Sequence, residues 1–224
     1  MDVAGTGAVG TITGAHFVTT PLPKHFQFDG DSHFVFDHPE VFDFRGDFTV
    51  TLLIRPPTNL EAFHVLLSRR GSSDYNMHHS IFVDTRSSWV GTWTAGEPVA
   101  VMHMGAGAGS GRGMNDGDAS DSVWAYTDTF AVGDWLQLTF TVRAGRICGF
   151  VNGARSGDCS ATLLDSDRQM GTGEPLEVGG EESYTNHPLW SMASLAYYDR
   201  ALSEDEVMFN YAASECLERG ARCP

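Results

Sequence analysis

Residues 135–153 read WLQLTFTVRAGRICGFVNG. Leu136, Leu138, Phe140 and Val142 alternate with Gln137, Thr139, Thr141 and Arg143, and a period of two marks a strand with one face in a core. Ala144-Gly145 offers a turn, residues 146–151 start a second strand, and Asn152-Gly153 turns the chain again into a short return strand. Asn-Gly is a strong hairpin signal because both residues tolerate the positive φ of a tight turn. The stretch predicts consecutive antiparallel strands.

The same alternation recurs in 47–55, where Phe48, Val50, Leu52 and Ile54 point one way and Thr49, Thr51 and Arg55 the other. Pro56-Pro57 ends that strand, since proline cannot donate to a ladder. Further strand candidates are 16–19, 26–28, 34–36, 64–69, 80–85, 89–94, 100–104, 122–130, 176–179 and 192–199. Many short strands between turn signals predict an all-β sandwich or barrel. Ser203-Glu204-Asp205-Glu206 fits a capping box, and Val207, Met208, Tyr211 and Ala212 follow at helical spacing, which predicts one short helix over 204–214. Residues 105–121, GAGAGSGRGMNDGDASD, are too polar and glycine-rich for a strand and read as a long exposed loop. The expected organisation is a Gly/Ala-rich N-terminal arm (1–15), one domain (16–215) and a C-terminal tail (216–224).

A length of 224 residues and a hydrophobic content of 42% suit one globular sandwich. The formal net charge is −15. Such a surface repels phosphate backbones, so nucleic acid is not an expected partner, nor are anionic membranes or strongly acidic polysaccharides. It suits neutral glycans, divalent cations or a basic protein, although solubility alone accounts for it equally well. No apolar run approaches the roughly 18 residues of a transmembrane helix, and residues 1–15 have neither the basic start nor the apolar block of a signal peptide.

Cys148, Cys159, Cys216 and Cys223 allow three pairings. Spacing favours the local one. Cys148 and Cys159 flank the Asn152-Gly153 turn, and Cys216 and Cys223 bracket a short glycine-containing tail. Pairing implies an oxidising, extracellular or surface location; four free thiols in a reducing cell are the alternative. There is no C-x-x-C for zinc.

Four segments resemble the laminin-G-like, concanavalin-A-like jelly-roll superfamily, in its pentraxin-related variety. They are Phe28-Asp29-Gly30-Asp31-Ser32-His33-Phe34-Val35; Phe48 to Pro56, with Leu53 where the family often has tryptophan; Trp135 to Val142 with Gly149-Phe150-Val151-Asn152-Gly153; and Leu176-Glu177-Val178-Gly179-Gly180 followed by Leu195 to Val207. The likeness covers about 26–213. At Trp190-Ser191-Met192-Ala193-Ser194 the chain departs from the family's glycine-containing pattern. The resemblance implies two antiparallel sheets packed face to face, and recognition of glycans or proteins, often with calcium. Fold alone does not fix function.

Asn115-Asp116-Gly117-Asp118-Ala119-Ser120-Asp121 gathers oxygen ligands, with Asp116, Asp118 and Asp121 as candidate calcium carboxylates. The full EF-hand spacing is absent, and a solvated acidic loop accounts for the same residues. Asp29 with Asp31 is a second candidate, which an Asp-Gly turn explains as well. Trp89 and Trp93 fall at i and i+4 of a strand-like segment with Gly91 between them, a sugar platform that Tyr75, Asn76, His78, His79, Asp84 and Arg86 could rim. Two core tryptophans are the alternative. Adjacent His78 and His79 would face opposite ways on a strand, which disfavours a shared metal. No alternating carboxylate strand, G-x-S-x-G or P-loop is present. The sequence therefore points to a non-catalytic domain binding glycan or glycoprotein, with calcium as a candidate cofactor. A structural subunit of a larger self-assembling shell, filament or surface layer, and a glycan-cleaving enzyme, are the alternatives.

Overall fold

In a computed structural model, residues 10–20, 23–30, 32–36, 39–42, 44, 46–60, 63–70, 77–85, 96–105, 122–162, 175–180 and 189–218 are described, with the backbone alone for 39, 40, 63, 70, 77, 78, 122, 217 and 218. In chain order the strands are β1 (Gly10–Thr13), β2 (His16–Val18), β3 (His25–Gln27), β4 (His33–Phe36), β5 (Phe48–Arg55), β6 (Phe63–Arg70), β7 (Met77–Asp84), β8 (Val99–Gly105), β9 (Ser122–Tyr126), β10 (Leu136–Arg143), β11 (Arg146–Val151), β12 (Ala154–Arg155), β13 (Leu176–Val178) and β14 (Ser191–Tyr198). A 3-10 turn at Pro39–Phe42 precedes β5, and helix α1 (Glu204–Glu218) follows β14. The strands make two antiparallel seven-stranded sheets, ordered β1-β4-β13-β6-β7-β8-β9 and β12-β11-β10-β5-β14-β3-β2.

The alternation read from β5 and β10 is what builds the core. Phe48, Val50, Leu52 and Ile54, with Leu136, Leu138, Phe140 and Val142, face Ile81, Val83, Ala100, Met102, Val123 and Ala125 of the other sheet. Burying each large apolar side chain contributes roughly 1.5–3 kcal/mol. The reverse face of the same strands is polar but covered: the Thr51 and Thr139 hydroxyls bond each other at 3.1 Å.

The Asn152-Gly153 turn has the positive φ values its sequence demands, 51° and 77°. Asn152 Oδ1 accepts from the Gln137 N–H and the Asn152 N–H donates to the Gln137 carbonyl, each at 2.9 Å. Helix α1 packs over this turn, since a Cβ at Gly153 would meet Tyr211 and Met208. Its buried Val207, with Leu202 just before the helix, packs with Phe150 and Tyr198. The capping box forms as read: the Glu206 N–H donates to Ser203 Oγ (3.3 Å) and the Ser203 N–H to Glu206 Oε2 (2.8 Å). Arg200 adds a two-point pair to Glu206 at 2.7 and 2.8 Å. That guanidinium first, and the Ser203 N–H second, hold the Glu206 carboxyl down at about 2.

Several expectations change. Residues 10–13, expected in an arm, form an edge strand on β4. The helix runs to Glu218, because helix-forming residues continue past the apolar stripe. Strand β9 stops at Tyr126; beyond it Thr127 Oγ1 accepts from the Ala100 N–H, and the Asp128 carboxylate accepts from the Gly157 N–H. The atypical segment at the start of β14 carries a register shift between Met192 and Ser194. Cys148 and Cys159 are bridged, as their hairpin position suggests. Cys216 carries a free thiol in the last turns of α1, and Cys223, its expected partner, lies outside the described residues.

Candidate functional site

In β7 the inward residues are Ile81 and Val83, in β8 Ala100 and Met102, and in β9 Val123 and Ala125. Alternation therefore sends Ser80, Phe82 and Asp84, then Val99, Val101 and His103, then Trp124 and Tyr126, to the outer face of the first sheet. Registry places His103 opposite Trp124 and Val101 opposite Tyr126. The His103 imidazole stacks on the Trp124 indole with centroids 3.8 Å apart and planes 20° from parallel. Phe82 meets the same indole edge-on at 5.9 Å. Phe82, Val99 and Val101 are buried beneath, while Trp124 and Tyr126 on the edge strand are half-buried. Burial first, and the Asp84 carboxylate second, push the Tyr126 phenol up to about 12. The result is an aromatic surface with an imidazole and a phenol at its base. Such a surface suits the apolar face of a sugar ring or an apolar side chain.

Of the residues singled out from sequence, Asp84 lies on this face, but it is only 1% exposed and so does not form an open rim. It pairs with Val99 of β8, the strand that separates it from β9, and its charge reaches Tyr126 across that strand. Arg86, Trp89 and Trp93 lie outside the described residues; their segment departs and returns at the Asp84 end of β7, where the Gly96 N–H donates to the Thr85 carbonyl at 2.8 Å. Tyr75 also lies outside them, between β6 and β7. That connection joins β7 at its other end, about 20 Å away at a strand rise near 3.3 Å per residue. His78 sits on β7 with its side chain outside the described residues, and His79 turns inward to the Tyr197 hydroxyl at 2.9 Å.

Asp116, Asp118 and Asp121 lie outside the described residues, in the connection between paired Gly105 and Ser122. Among the described residues no three His, Cys, Asp or Glu side chains cluster as a metal site. Asp29 is engaged by the Ser32 hydroxyl and by the His16 imidazole at 3.2 Å, so it closes a turn; Asp31 lies outside the description.

A second constellation lies on the outer face of the other sheet, where β3 and β5 end and β10 and β14 begin. Arg55 and Trp135 lie opposite each other just beyond the Leu136–Ile54 pair, and the guanidinium carbon is 5.2 Å from the Trp135 ring centroid. Arg55 donates to Ser191 Oγ at 3.3 Å. His25 meets Trp135 edge-on at 5.2 Å and bonds the Pro23 carbonyl through Nδ1 at 2.7 Å. Sequence reading missed both Trp124 with Tyr126 and Arg55 with Trp135. The first pair had an available signal, the alternation in SVWAY; the second depends on strand pairing between residues far apart in the chain.

These features define a two-sheet antiparallel sandwich whose candidate sites lie on its outer faces. The chain belongs to the concanavalin A-like lectin/glucanases superfamily, whose laminin-G-like family model matches residues 28–208. No protein of curated function matches the sequence significantly. Among solved structures, the fold is similar to the binding domain of botulinum neurotoxin DC in complex with SialylT, with TM-score 0.66 and 12% identity over 95% of this chain and 48% of that one. It is similar to the binding domain of Paraclostridial Mosquitocidal Protein 1, with TM-score 0.66 and 16% identity over 95% and 49%. The neurotoxin DC binding domain in complex with rat synaptotagmin II gives TM-score 0.63 and 12% identity over 95% and 48%. The chain spans about half the length of these structures. Among the described residues no helix is long and apolar enough to cross a membrane.

Proposed function

We propose that this chain is a non-catalytic recognition domain that binds a glycan or glycoprotein on the outer face of its first sheet, around Trp124 and Tyr126. The observation that carries the reading is the half-buried indole of Trp124, held flat by the His103 imidazole at 3.8 Å on an edge strand. A ring fixed by its neighbours loses little freedom on binding, so its contact area translates into affinity. Membership of a lectin-containing superfamily supports the reading, as does the likeness to domains solved as binding domains. The Cys148–Cys159 bridge suits an extracellular or surface location. Calcium held by Asp116, Asp118 and Asp121 is proposed as an aid to binding.

A broad array of neutral glycans, screened with and without a chelator, tests this. Binding should appear on the array, weaken with chelator, and fall about tenfold or more, a loss of ~1.4 kcal/mol, in Trp124→Ala. Tyr126→Phe, which keeps the ring and removes the hydroxyl, should fall less while preserving the fold. Silence across the array, or full affinity in both variants, would refute the assignment.

A further inference from the structure

We propose that Arg55 and Trp135 form a second ligand site, on the opposite sheet, for a carboxylate carried on a ring with an apolar face, as in an acidic sugar. The site goes beyond the Trp124 face and does not depend on it. Its parts are pre-positioned. Arg55 closes β5 and Trp135 immediately precedes β10, and the chain around them is tied down where the Gly133 N–H donates to the Pro56 carbonyl at 3.0 Å. His25 is buried, its Nδ1 held by the Pro23 carbonyl, and its ring fixes the Trp135 edge.

Arg55 is the one cation seated on an aromatic ring among the described residues. It is half-buried, its only hydrogen bond there is the 3.3 Å contact to Ser191 Oγ, and no described carboxylate lies within ion-pair distance. A guanidinium has five N–H donors in a planar fork, so the fork retains the capacity for two-point capture of a carboxylate. The cation–π contact with the indole, 5.2 Å from guanidinium carbon to ring centroid, restricts the freedom of the side chain and lowers the ordering cost of binding. Beside the guanidinium, the half-buried indole offers apolar contact to the ring that bears the carboxylate. Exposed Gln27 and Ser194 lie on the same outer face, where hydroxyl groups of the ligand would fall.

The chain's net charge of −15 does not oppose this capture. At about 0.15 M salt, charges more than ~8 Å away are largely screened, so a single carboxylate responds mainly to Arg55, whereas a long polyanion meets the whole surface.

The probes are glucuronate, glucose and acetate, titrated into the whole chain by calorimetry at matched ionic strength. Glucuronate should bind at least about tenfold tighter than either control, because only it presents both carboxylate and ring. Arg55→Gln should reduce glucuronate to the level of glucose. Arg55→Lys, which keeps the charge and loses the fork, should lose about tenfold and guards against misfolding of the first variant. Trp124→Ala should leave glucuronate binding unchanged, which separates this site from the first. Equal binding of the three probes, or undiminished glucuronate affinity in Arg55→Gln, overturns the proposal; so does acetate binding as tightly as glucuronate.

Discussion

Replacing Thr49 by valine should destabilise the domain by about 2–4 kcal/mol, although the side chain keeps its shape and touches no candidate site. Thr49 is fully buried on β5, on the side away from the main core. Its hydroxyl donates to the Arg200 carbonyl and accepts from the Leu202 N–H, each at 2.9 Å. One hydroxyl thus pins the chain where β14 passes into α1. In Thr49→Val the Leu202 N–H, on a residue 4% exposed, is left buried without a partner, at a cost of roughly 1–3 kcal/mol. The Arg200 carbonyl belongs to an exposed residue and can turn to water, so its loss adds only about 1 kcal/mol. For a chain of this size the sum lowers Tm by roughly 6–12 °C. Thr49→Ser is the control: it keeps the hydroxyl and drops one methyl, at about 0.8 kcal/mol. Urea unfolding followed by far-UV circular dichroism and tryptophan fluorescence reads both variants. A valine variant as stable as the parent, or a serine variant that loses as much as valine, would refute the reasoning.

Three more outcomes are expected. Removing the Cys148–Cys159 bridge as Cys148→Ser/Cys159→Ser frees a loop of sequence separation 11 and should cost about 3 kcal/mol, read as a lower urea midpoint that reductant reproduces in the parent. Gly179→Ala should cost roughly 2–5 kcal/mol, because φ is +90° and the new Cβ would lie 2.2 Å from the buried Phe28 ring; a thermal melt within a degree or two of the parent would contradict this. The Glu206 carboxyl sits at about 2, below its ordinary value of 4.5, so its contribution to stability is complete above that ordinary value and is lost as pH falls toward 2. Glu206→Gln should therefore flatten the acid limb of the stability curve in that window, and an unchanged limb would remove the Arg200–Glu206–Ser203 cap as its origin.

Much of the fold was legible because its signals are local. Alternation in β5 and β10, the positive-φ demand of Asn152-Gly153 and the capping box at Ser203 each operate within about ten residues, and each appears where the sequence puts it. Strand β1 was not legible: Gly10–Thr13 is exposed along its whole length and lacks a buried face to mark it. The end of β9 was not legible either, because the Thr127 hydroxyl takes the Ala100 N–H in place of a carbonyl and the Asp128 N–H turns to Ser156, partners that only the folded chain brings near. The site was less legible than the fold. Asp84 looked like a rim residue because it is charged, yet a position surrounded by three strands is buried whatever its polarity. Trp124 and Tyr126 were hidden in a strand that reads as ordinary alternation.

The two constellations differ in a way that divides the ligands proposed for them. Around Trp124 the partners are an imidazole, a phenyl ring and a phenol that burial keeps protonated, so that face offers dispersion and neutral hydrogen bonding. Around Trp135 the partner is a guanidinium, which adds a positive charge over the ring. The same residue type, tryptophan, thus serves two chemistries, decided by what lies across the strand pair: His103 in one sheet and Arg55 in the other. A sandwich makes this division easy. Its core is sealed between the sheets, so each outer face can change its cross-strand partners without disturbing the apolar residues that hold the sheets together. A ligand carrying both a neutral ring and an acidic ring would have to reach around an edge of the sandwich to occupy both sites, so one small ligand cannot bridge them, and affinity for the two classes should be independent within a single chain.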